Sequence, residues 1–86
     1  MERYKAAVLI KENLESKTKI PIYEFLGSRE YVENVMDIYG AYDYIAIIKA
    51  DSNQKLNSYV DEIRSRGDVR ETMTCPIERE SSSDKD

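Results

Sequence analysis

Two stretches of this chain, Ala6-Ala7-Val8-Leu9-Ile10 and Tyr44-Ile45-Ala46-Ile47-Ile48, run without a single charged or small polar residue. A strand with one wet face alternates apolar and polar positions, so an unbroken run marks a strand that is covered on both sides. With 86 residues the chain has room for one small domain, which buries proportionally little of its own surface. Two doubly covered strands in so short a chain set the problem. Its own helices can close one side of a sheet, and something else must close the other.

The segments around these runs complete the pattern. Ile20-Pro21-Ile22-Tyr23-Glu24-Phe25-Leu26-Gly27 reads as a short helix, with Pro tolerated in the first turn and Gly suited to the position past the end. Tyr31 to Ile38 mixes apolar residues with Glu33, Asn34 and Asp37, as an edge strand does. Asp51-Ser52 offers an N-cap, and Leu56, Tyr59, Val60 and Ile63 fall at i, i+3, i+4 and i+7 on one helical face, with Gly67 after it. Val69 to Cys75 alternates roughly and carries two threonines, which fits a second edge strand. From Glu78 on there is no apolar residue; the sequence predicts a domain over residues 1–78 and a disordered tail over 79–86.

Strand, helix, strand, strand, helix, strand is the split βαβ arrangement, an α+β, ferredoxin-like βαββαβ fold with a four-stranded antiparallel sheet. That topology puts the first and third strands at the centre, and the two unbroken apolar runs are the first and third strands. Helices cover one face only, so a second copy of the sheet is the simplest cover for the other, giving a dimeric α-β sandwich.

Composition removes several classes of function. The net charge is -4 and the basic residues are scattered among acids, so there is no basic stripe for nucleic acid and no attraction to an anionic membrane. There is no histidine and one cysteine, Cys75, so one chain can build neither a disulfide framework nor a Cys/His zinc site. No metal or cofactor is expected. The amino-terminal apolar run is too short for a signal sequence, no segment reaches membrane-spanning length, and a cytoplasmic location follows as the expectation. Cys75 has no histidine base to activate it and reads as a small buried hydrophobe.

The segment that combines a glycine, an acid and crowded aromatics is the turn Tyr39-Gly40-Ala41-Tyr42-Asp43. Two readings of it stand side by side. Gly40 can let a ligand's carboxylate approach backbone N–H groups while Asp43 pairs with an ammonium. Equally, Gly40 can supply a positive φ and Asp43 can hold the turn through backbone bonds. Thr72 and Thr74 are two apart on the last strand and face one side, where both hydroxyls could reach one ligand or serve simple β-propensity. Tyr39, Tyr42 and Tyr44 suit subunit packing, and Met36 and Met73 suit space-filling.

The run Val35 to Ile45, the helix Leu56 to Ile63 and the segment Gly67 to Thr74 together resemble the effector-binding domain of Lrp/AsnC transcription regulators, the RAM domain. The resemblance spans roughly Lys5 to Ile77. Its Gly-x-x-Asp turn and closing Thr-x-Thr strand are specific in combination, although the first helix here is shorter than the family's. It implies a stand-alone module without the helix-turn-helix domain, hence without direct nucleic-acid contact. It further implies a homodimer through facing sheets that can associate into rings, and a free amino acid as effector. By resemblance the Gly40, Ala41, Tyr42, Asp43 turn borders the effector pocket, and the strand with Thr72 and Thr74 lines it from a neighbouring subunit. Full-length Lrp/AsnC regulators are the implied partners, and a ligand-independent assembly module that joins them is the alternative.

Two further classes fit poorly. A ferredoxin-like acylphosphatase would need a Gly-rich loop with an arginine after the first strand, whereas Lys11-Glu12-Asn13-Leu14-Glu15-Ser16-Lys17 has neither. An RRM-type RNA surface needs aromatics on the central strands, and Ala6, Val8, Ile10, Ile45 and Ile47 supply none. No catalytic residue is expected.

Overall fold

A computed structural model describes residues 4–16 and 18–78; the tail expected at 79–86 lies outside them. Strands β1 (Tyr4–Glu12), β2 (Val32–Asp37), β3 (Tyr44–Ala50) and β4 (Val69–Ile77) form one sheet in the order β2-β3-β1-β4, with α1 (Ile22–Gly27) and α2 (Asn53–Arg64) in the two crossovers. All three pairings are antiparallel. The two apolar runs are the central strands, as their patterning requires.

Register sorts every strand residue onto one face. Ala6, Val8 and Ile10 of β1 stand beside Ile48, Ala46 and Tyr44 of β3, and this row, buried except for the half-buried Tyr44, lies under the helices with Ile22, Leu26, Leu56, Val60 and Ile63. On the other face Ala7 lies between Ile47 and Cys75, and Leu9 between Ile45 and Met73, with Met36 beyond Ile45. These residues are half-buried or exposed, Met36 by 41% and Met73 by 48%. Cys75 is exposed in the single chain, contrary to the burial its composition suggested, because β4 is an edge strand and turns it onto the uncovered face. Within one chain the central strands are thus sealed on one side only.

Each helix owes its place to a different device. Ser52 caps α2 by accepting from Lys55 N–H at 3.1 Å, and Arg64 in the last turn complements the helix dipole. α1 starts two residues later than the apolar pattern suggested, at Ile22, because Pro21 is the N-cap with ψ 150° and lies outside the helical region. With six residues and no side-chain cap, α1 is held by burying Ile22 and Leu26, one turn apart. Beside it the Phe25 ring carries two guanidinium groups, Arg29 at 4.7 Å and Arg66 at 4.6 Å from its centroid. Tyr31 stacks on Tyr59 at 4.0 Å and donates to Glu62 Oε1 at 2.7 Å, so burial and the carboxylate both push its phenol well above the ordinary range. No helix among the described residues is long and apolar enough to cross a membrane.

Candidate functional site

β1 and β4 run out together at one end of the sheet, where the β2–β3 turn also arrives. Gly40 makes that turn possible with φ +114°, the one positive φ among the described residues. The chain then returns to β3 through Asp43. Its backbone N–H donates to Ile10 C=O at 2.8 Å, its C=O accepts from Ile38 N–H at 3.0 Å, and its side-chain Oδ2 accepts from Glu12 N–H at 2.8 Å. Two of these bonds tie the turn to the end of β1 and the third closes it onto the end of β2, and among the described residues none donates to its Oδ1.

A cleft of about 530 Å³ opens beside it. Lys11, Glu12, Asn13, Leu14 and Glu15 line it together with Asp43 and Arg70. Leu14 is 83% exposed at the rim. Glu12 also accepts from the Tyr44 hydroxyl at 3.2 Å, and burial followed by the Glu12 charge raises that phenol above its ordinary value. The loop that carries Asn13 is fixed from below, since Asn13 N–H donates to Asp68 C=O at 2.8 Å.

Of the residues singled out from the sequence, the cleft takes in Asp43 alone. Gly40 and Ala41 are exposed in the turn, and Tyr42 donates to Glu71 Oε2 at 3.3 Å on the neighbouring edge. Thr72 and Thr74 do face one side of β4, opposite Ile10 and Val8, which is the helix-covered side, and both are half-buried at the sheet edge. Tyr39 points wholly into solvent. Lys11, Glu12, Glu15 and Arg70 were missed. Lys11, Glu12 and Arg70 are charges near strand ends and Glu15 lies in the loop after β1, and the pairing of β1 with β4 is what brings Arg70 to the others. A residue count from Lys11 to Arg70 carries no hint of it.

No protein-family model and no curated protein matches the sequence. Solved structures do match the fold. The protein TTHA0845 from Thermus thermophilus superposes with a TM-score of 0.77 at 23% identity, over 93% of this chain and 99% of that one. A hypothetical protein from Pyrococcus horikoshii does so with a TM-score of 0.71 at 20% identity, over 98% of this chain and all of that one. The leucine response regulatory protein LrpA of Mycobacterium tuberculosis gives 0.78 at 24% identity; this chain covers 56% of its length. The structural neighbours are thus Lrp/AsnC-type transcription regulators, of which the chain spans about half, and small proteins of its own length.

Proposed function

We propose that this chain is a sensing and assembly module of the Lrp/AsnC type, which binds a free amino acid and carries no catalytic activity. The observation that supports it best is the uncovered sheet face. Ala7, Leu9, Ile45 and Ile47 remain only half-buried at the very centre of the sheet, in a fold shared with proteins of this length and with half of larger regulators. An apolar centre of this kind gains free energy when a second sheet closes on it, at roughly 25 cal/mol for each Å² removed from water. In this reading the chain works in the cytoplasm as a homodimer with facing sheets, and dimers associate further into rings. The Gly40 to Asp43 turn of one subunit and the Thr72, Thr74 strand of a neighbour border the effector. DNA is reached only through full-length regulators that join the assembly.

If the ligand bridges subunits, it must shift the assembly by its differential affinity for the larger form. Sedimentation equilibrium across a titration with each amino acid tests this. A mass that rises with one chemical class of amino acid is the expected result, and a mass that ignores all of them would sink the sensing part. One observation favours the second reading, an assembly module that needs no ligand: Asp43 already spends Oδ2 and both backbone groups on holding the turn. In that case the dimer forms and joins larger regulators with no amino acid present.

A further inference from the structure

Among the described residues every sulfur lies on one face of the sheet. The residues that carry it are Met36, Met73 and Cys75, and register puts all three on the face that no helix covers. Met36 pairs with Ile45 and Met73 with Leu9, so one row crosses the whole sheet in the order Met36, Ile45, Leu9, Met73 and ends on a methionine at either edge. The two methionines are 41% and 48% exposed, whereas Ile45 and Leu9 between them are half-buried. The buried core under the helices, in contrast, consists of Ala, Val, Ile and Leu. We infer that Met36 and Met73 are an oxidation site that governs assembly: a hydroperoxide converts both thioethers to sulfoxides and holds the chain as a folded single subunit. The inference rests on the facing-sheet dimer and adds the chemistry that regulates it.

The peroxide itself balances the reaction. The thioether sulfur attacks the terminal peroxide oxygen, an S–O bond forms as the O–O bond breaks, and the proton of the transferred oxygen moves to the departing one. Sulfur loses two electrons, and the peroxide is reduced to water or an alcohol. A flexible apolar side chain becomes a polar one with a strong acceptor. Water satisfies that acceptor in the free subunit. A facing copy of the sheet strips the water away and presents Ala7, Leu9, Ile45 and Ile47, whose side chains hold no donor. Four strands of six to nine residues give the face roughly 500 Å² in plan, the same order as the about 800 Å² that each partner gives to a standard interface, so a second sheet covers it from edge to edge and reaches both methionines. Two-fold symmetry brings each methionine into the interface twice, so two oxidations per chain become four buried sulfoxides. The core cluster holds no sulfur, so the same oxidation leaves the fold of the single chain intact.

The test is sedimentation equilibrium of the full chain before and after hydrogen peroxide, run on the wild type and on Cys75→Ala, which removes disulfide cross-links between copies. Peptide mass spectrometry reads sulfoxide at Met36 and Met73 separately from Met1. Oxidation of both is expected to raise the dimer dissociation constant about 100-fold or more, while far-UV circular dichroism stays unchanged. Methionine sulfoxide reductases for the two epimers are expected to restore the dimer. The double variant Met36→Leu, Met73→Leu is expected to dimerise and to ignore peroxide, a result that damage elsewhere in the chain would not give. Oxidation is also expected to slow as the chain concentration rises through the dissociation constant, because the dimer shields both sulfurs. A dimer that persists with both methionines oxidised, or a leucine variant that dissociates under peroxide as its parent does, overturns the inference and leaves the facing-sheet dimer standing. If the unoxidised wild-type chain is a monomer at every concentration, the dimer reading fails and this inference fails with it.

Discussion

Two aspartates fasten two corners of the molecule, and they are used to different degrees. Asp68, 4% exposed, spends both side-chain oxygens: Arg66 Nε donates to Oδ1 and Arg66 Nη2 to Oδ2, each at 2.8 Å, and Thr18 Oγ1 lies 3.1 Å from Oδ2. Its backbone C=O takes Asn13 N–H as well. Arg66 also donates to Ile20 C=O, so one ion pair pins the loop before α1 against the turn before β4. Asp43 is half-buried, commits one side-chain oxygen and borders a cleft. A saturated acid is a brace; an acid with a spare oxygen beside open space is where a ligand can still be held.

The largest effect should come from breaking the brace. Asp68→Ala leaves the Arg66 guanidinium, 14% exposed, without its counter-charge and should cost about 3 kcal/mol in urea unfolding. The pH dependence follows from the sign of the shift. Hydrogen bonds from Arg66 hold the Asp68 carboxyl below its ordinary value of 3.8, so the unfolded chain binds its proton first as pH falls. The stabilisation is complete above the ordinary value and is lost as pH drops through the folded one. The stability gap between the wild type and Asp68→Asn should therefore be constant near neutrality and close under acid. A gap that does not change with pH would mean that the charge on Asp68 contributes nothing.

The role of Asp68 was not legible in the sequence, whereas the turn-holding reading of Asp43 and the sheet around both acids were. Central strands announce themselves because no polar residue interrupts Ala6 to Ile10 or Ile45 to Ile48. The Leu56, Val60, Ile63 stripe likewise carries its own helical period. Asp43 could be singled out because a glycine three residues earlier marks its turn. Asp68, in contrast, sits in an ordinary Gly-Asp-Val and acquires its meaning from Thr18 and Ile20, about fifty positions away along the chain. The bulge at Arg70, where β1 and β4 shift register after Lys11, is also a property of the pairing and not of β4 alone. Local chemistry predicts elements; contacts between element ends have to be seen.

A smaller loss is expected at the second corner. Asp43→Ala removes the acceptor for Glu12 N–H, but this site is only half-buried and water can replace the carboxylate, so the cost should be about 1.5 kcal/mol. Equilibrium unfolding of the two alanine variants side by side is the measurement. If Asp43→Ala proved the more damaging, the brace and the cleft acid would have to exchange roles. Gly40→Ala probes the same corner through the backbone. There is open space for a Cβ, but φ +114° strains any L side chain, for an expected cost of about 1–2 kcal/mol.

The smallest effect sharpens the contrast at the Asp68 corner, where the glycine is constrained by a neighbour and not by its dihedral angle. Gly67 has no positive φ, and an added Cβ would lie 3.1 Å from Ser16 Oγ. Replacing glycine by alanine at a permitted φ stiffens the unfolded chain and stabilises by about 0.4–1 kcal/mol, which the contact with Ser16 opposes. Gly67→Ala alone should then be close to neutral. In a Ser16→Ala background, where the hydroxyl is gone, the same substitution should stabilise by about 0.5 kcal/mol. The double-mutant cycle isolates the contact, because each single change removes or adds one side of it. No coupling between positions 16 and 67 would mean that the loop before α1 already yields at this point. The rigidity of the corner would then rest on Arg66 and Asp68 alone.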